Sequence, residues 1–137
     1  MQLNSTDPVH FPTLHRVNQI TSYHCAPAVL KMLLNYQGVK VKQAQIVDTA
    51  GIGGKIKHFG MTVAEIAAAS GKLAPHLQFW YKENASIYDL DQLVNLRQLP
   101  VGIEWQGVFL PEDDDEDDGH YSVATHVDLA LNQIVLF

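Results

Sequence analysis

Gln19-Ile-Thr-Ser-Tyr-His-Cys25-Ala-Pro-Ala-Val-Leu-Lys-Met-Leu-Leu-Asn-Tyr-Gln-Gly38 is the stretch around which the 137-residue chain is organised. Ala28, Val29, Met32, Leu33 and Tyr36 recur at helical spacing, with Lys31 and Asn35 between them. Pro27 suits a first helical turn, where its missing N–H is no loss, and Gly38 suits the far end. The only cysteine, Cys25, thus falls where a loop becomes a helix. Backbone N–H groups and the helix dipole favour a thiolate there. Gln19, upstream on the same loop, can bring a side-chain N–H to the same sulfur. The layout is that of a nucleophile beside half an oxyanion hole.

With 47% hydrophobic and 18% charged residues, the chain has the composition of a globular protein. Its length suffices for one core without staples, so a single domain over residues 1–137 is expected. No apolar run approaches a membrane span, and the start has neither a basic n-region nor an apolar h-region. A lone cysteine excludes an internal disulfide, which fits a cytoplasmic protein. The net charge of −6 is local in origin: seven acids form one run, Glu112 to Asp118, and the nine lysines and arginines roughly balance the rest. The body of the domain is near neutral, so no nucleic-acid partner is expected. Carboxylates at that density suit a hard cation such as calcium. The run lacks EF-hand spacing and the turn glycine, however, and reads as a solvated loop. Its place between Trp105 and His120 makes screening of basic substrates the sharper expectation.

The other elements follow from local signals. Residues 1–18, with Pro8 and Pro12, read as an extended arm laid over the domain. Val39 to Ala50 reads as a second, shorter helix, broken by Gly51-Ile-Gly-Gly54, a flexible connector rather than a phosphate loop. Thr62 and Glu65 predict a capping box, with Gly71 ending that helix. His76 to Lys82, rich in aromatics, reads as a strand. Ser86 with Asp89 starts a further helix through Leu96, which must stop before Pro100. Val101 to Trp105, His120 to Asp128 and Gln133 to Phe137 read as strands, the last two joined by a turn at Leu129 to Asn132. Helices first and antiparallel strands last predict an α+β fold with segregated layers: N-terminal helices packed on a C-terminal antiparallel sheet.

A thiolate nucleophile needs a base, and seven histidines are available. His24 adjoins Cys25, and neighbouring helical residues do not face one another. His10 and His15 lie in the arm and His58 near the glycines; His76 and His126 begin or interrupt strands. His120 follows Gly119 at a strand mouth, and its face continues as Ser122 and Ala124, small enough for a helix to pack closely. The spacing of His24, His120 and His126 matches no metal pattern, so neither metal nor cofactor is expected. Asp128 shares the face of His120, but eight residues of extended chain is about 26 Å, too far to orient it.

Gln19, Tyr23-His24-Cys25-Ala26-Pro27-Ala28, Met32-Leu33-Leu34, Gly60-Met61-Thr62, Leu99-Pro100-Val101-Gly102-Ile103 and Gly119-His120-Tyr121 resemble, in order, the papain-like C39 peptidases. These process double-glycine leader peptides such as those of bacteriocins, and have stand-alone relatives. The resemblance implies a papain-like domain with Cys25 as nucleophile, His120 as general base and Gln19 as oxyanion donor. It also implies a peptide substrate with small residues before the cut, hydrolysed through an acyl-enzyme. Two departures stand out. Ala26 replaces the usual glycine after the cysteine and is expected to narrow the space beside it. The family's aspartate, at the end of the strand after the histidine, falls about where the chain stops, so a fragment is expected rather than a dyad. Two alternatives carry different products: a weak or inactive peptide-binding module, and an acyl transferase.

Overall fold

The computed structural model describes Phe11, residues 13–106 and residues 119–137. The acidic run Glu112 to Asp118, and with it the expected role in screening substrates or holding calcium, lies outside the described residues.

The opening stretch forms α1, Cys25–Tyr36. It ends as Gly38 predicts: at φ 86° that residue donates its N–H to Asn35 C=O, while Val39 N–H reaches Leu34 C=O at 2.8 Å. Both orphan carbonyls of the last turn are thereby satisfied, and a side chain at residue 38 would strain the cap. The sequence reading assigned α1 one apolar face, but the helix is buried on two. Ala26, Leu30 and Leu34 enter one core cluster and Val29 and Met32 another. A helix apolar nearly all round is an interior helix, and α1 is the wall between the two cores.

The first cluster lies between α1, α2 (Gln43–Ala50) and α4 (Val63–Leu73), with α3 (Ile56–Phe59) at its margin. The second helix begins later than periodicity suggested. Val39 to Lys42 is not helical and Lys42 has extended backbone, with Val41 buried and Lys42 exposed, an apolar–polar alternation with the period of a strand. The glycine segment is no loose connector, since Ile52 is 3% exposed and its carbonyl accepts the Lys55 and Ile56 N–H groups that start α3. Thr62 and Glu65 form the expected capping box. Lys55 adds an ion pair to Glu65 at 2.8 Å. The helix runs past Gly71 to Leu73 because Gly71 sits on its exposed side and keeps helical backbone.

The second cluster packs α1 against a three-stranded antiparallel sheet in the order β1-β2-β3: Val101–Gln106, Gly119–Asp128 and Gln133–Leu136. Trp105 stands opposite His120 and Ile103 opposite Ser122. A register shift between Ala124 and His126 bends β2 against β3. The chain is α+β, with the sheet formed after the helices in sequence. The described end of the arm reaches into the core rather than lying over it: Phe11 and Leu14 are buried, and the Phe11 ring meets Tyr36 edge-on at 5.9 Å.

Two elements differ from expectation. Residues 76–82 form no strand; Leu77 and Phe79 pack on the first core while Trp80 is 80% exposed. Aromatic residues favour a strand only where a neighbour supplies the hydrogen bonds, and the sheet's three strands lie elsewhere. The helix opened by Ser86 and Asp89, α5 (Ile87–Leu90), passes directly into a π-helical stretch, Asp91–Leu96. There Arg97 N–H bonds Gln92 C=O, five residues back. This wider turn aims Asn95 at β2, where its amide donates to Val127 C=O at 2.7 Å. Its oxygen accepts from Val127 N–H, so one side chain acts as a strand partner beside the register shift.

Candidate active site

Cys25 is the first residue of α1 and is partly exposed. The opening N–H groups of a helix have no partner within it, and they surround the thiol with positive potential. His24 precedes it with non-helical backbone (φ −99°, ψ 27°) and makes no side-chain cap. Its imidazole instead turns back to the loop: Nδ1 is hydrogen-bonded to the Thr21 hydroxyl, whose oxygen accepts Tyr23 N–H. Burial pushes the His24 pKa below its ordinary value, so the ring is neutral at pH 7. It packs on Tyr23 with ring centres 5.0 Å apart. The neighbouring histidine therefore serves the turn that launches α1, as the helical argument expects.

Gln19 lies on the exposed loop before this turn, with its Nε2 donating to Thr21 C=O at 2.6 Å. That amide carries a second N–H. The backbone on either side of Gln19 is tied down by Gln43 of α2. Its Oε1 accepts Ile20 N–H at 3.1 Å and its Nε2 donates to Asn18 C=O at 2.7 Å.

His120 is the second residue of β2, and the Trp105 ring lies beside it at 5.9 Å and 41°. Trp105 is itself held by its indole N–H, which donates to Ser122 Oγ at 3.1 Å. On the adjoining position, burial and then the negative charge of Glu104 push the Tyr121 phenol far above its ordinary pKa. Gln19, Cys25, Trp105, His120 and Ser122 all line one cleft of about 440 Å³ between the head of α1 and the sheet. Ala28, Val29 and Met32 form its apolar floor along α1.

The remaining candidates fall elsewhere. His15, His58 and His76 are exposed on the arm and helical side, and His126 is buried in β2. His10 is outside the described residues. Asp128 is occupied at the β2–β3 turn, where its Oδ1 accepts Leu131 N–H at 3.0 Å. Ala26 does not narrow the cleft as expected: it is 1% exposed and points into the first core, on the side of α1 away from the thiol's opening.

The profile of the Peptidase_C39 like family matches residues 12–136, nearly the whole chain. The chain belongs to that family. No curated protein matches it. In this C39-like chain, two cleft residues, Trp105 and Ser122, and one residue outside the cleft lining, Gln43, escaped the sequence reading. Trp105 could be placed on a strand, but its position beside His120 depends on register across a long connection. Ser122 was read only as small, whereas it anchors the indole. Gln43 carries no local signal except that it is a polar residue at a position that turns out to be 4% exposed.

Proposed function

We propose that this C39-like chain is a cysteine peptidase with a papain-like arrangement of helix-borne thiol and sheet-borne imidazole. One observation carries the reading: three residues from distant parts of the sequence, Gln19, Cys25 and His120, line the same cleft. His120 takes the Cys25 proton, and the thiolate attacks the scissile carbonyl carbon. As the C–S bond forms, negative charge gathers on the carbonyl oxygen. The second N–H of Gln19 and the backbone N–H of Cys25 hold that charge. His120 then gives its proton to the departing amine as the C–N bond breaks. Water, deprotonated by the same imidazole, attacks the acyl-enzyme, breaks the C–S bond and releases the acid. The substrate class is a peptide with small residues before the cut, in keeping with the family resemblance.

Because Cys25 is the only thiol, any iodoacetamide adduct reports on it. Alkylation that slows about tenfold or more in His120→Ala is the expected result. Alkylation that follows an ordinary free thiol and ignores His120→Ala refutes the pairing. A second reading rests on the bond already made by Gln19 Nε2 to Thr21 C=O. A domain that grips peptide without cutting it has no need of a free oxyanion donor. Peptide binding without product, by wild type and His120→Ala alike, is its signature.

A further inference from the structure

We infer that Gln43 is the positioning residue of the oxyanion donor, holding Gln19 in place from a different helix; the inference rests on the peptidase reading above. Gln43 is 4% exposed at the first position of α2, and a buried primary amide is costly unless its polar atoms are satisfied. Both bonds it makes here go to one short segment. Its oxygen takes Ile20 N–H and its nitrogen gives to Asn18 C=O, so the two contacts bracket Gln19 from 23 and 25 residues away. An amide meeting a backbone donor and acceptor in this way acts as a strand would, fixing the direction of the intervening residue. Gln19 has no burial to hold it, since it and both neighbours are exposed. The Thr21 carbonyl occupies one of its amide hydrogens, which sets the plane of the amide, and the Gln43 clamp sets the backbone from which that amide projects. An oxyanion donor works only if fixed to within a fraction of an ångström, because its benefit comes from needing no rearrangement as charge develops. An exposed donor on a surface loop meets that requirement only through such a clamp.

The test uses the full chain and a chromogenic peptide ester or amide with glycine before the cleaved bond. Gln43→Met keeps the length and packing of the side chain and removes both bonds. Asn18 and Ile20 then turn to water. Expected is a fall in kcat of about tenfold with KM little changed, smaller than the hundredfold or more lost on removing the donor itself in Gln19→Ala. The double variant falls no further than Gln19→Ala alone, since a clamp has nothing to hold once the donor is gone. The iodoacetamide rate, which involves no oxyanion, stays at the wild-type value. Should Gln43→Met fold poorly, Gln43→Glu retains the acceptor for Ile20 N–H and sets a carboxylate oxygen against Asn18 C=O, with the same expected pattern. Equal losses in the wild-type and Gln19→Ala backgrounds, or alkylation slowed in parallel with turnover, overturn the inference by showing that Gln43 acts through the core. Absence of turnover in wild type, with alkylation indifferent to His120→Ala, instead refutes the peptidase reading and removes this inference with it.

Discussion

Gly102 on β1 lies close against α1, and replacing it with alanine tests that packing of helix on sheet. A Cβ at this position meets Val29 Cγ1 at 3.0 Å and Leu33 Cδ1 at 3.3 Å. Ordinary carbon contacts lie at about 3.5–4.0 Å, so helix and strand must part by a few tenths of an ångström. Leu33 can swing its terminal methyl aside. Val29 is β-branched, with one strongly preferred rotamer on a helix, and cannot. Overpacking of this kind costs about 1–3 kcal/mol, against which alanine recovers about 0.5–1 kcal/mol of the entropy that glycine loses in a strand. The net is a destabilisation of about 1 kcal/mol, or a fall in Tm of about 3–5 °C for a domain of this size. Thermal unfolding followed by circular dichroism measures it. Repeating Gly102→Ala on a Val29→Ala background supplies the control, because removing the valine methyls opens the space and the added methyl becomes neutral or favourable there. An unchanged or raised Tm in the single variant, or the same penalty on both backgrounds, refutes the argument.

Three further outcomes follow from the same geometry. His24 has a native pKa below its unfolded value, so the unfolded chain takes up a proton first as pH falls; denaturant titrations should show stability intact above about pH 6.5 and declining below it, and His24→Phe should flatten that slope. The Tyr121 phenol has a native pKa raised above its unfolded value, so it should stay un-ionised at pH values where a free phenol ionises, and denaturant titrations should show stability falling as pH rises past about 10. Thr62→Ala removes the acceptor for Glu65 N–H and should cost about 1 kcal/mol in chemical denaturation, leaving the iodoacetamide reactivity of Cys25 unaltered.

The features legible in the sequence are those written locally. The Gly38 stop and the Thr62–Glu65 and Ser86–Asp89 boxes each need only neighbours a few residues apart, and all of them stand in the fold. Residues 76–82 fail because strand propensity is a statement about a partner, and the sequence does not name the partner. The π-helical widening of 91–96 fails for a related reason: its benefit is the bond from Asn95 to Val127, which is made across the fold. In the cleft, Cys25 was legible from its place at a helix start and His120 from the small-residue face that follows it. The Trp105–Ser122 bond beside His120 was not, because it joins two strands whose register no local pattern specifies. Gln43 was invisible on similar grounds, as a polar residue opening an apolar helix is ordinarily exposed.

The two-sided burial of α1 bears on how the protein comes apart. Neither core cluster can open without uncovering half of that helix, so partial unfolding of the helical side or of the sheet leaves the other half without its wall. A single all-or-none transition is the natural outcome, with the amides of Val29 to Leu34 among the last to exchange with solvent. Cys25 is thus mounted at the head of a helix that both cores hold in place, while Gln19 sits on an exposed loop whose backbone on either side is tied to Gln43.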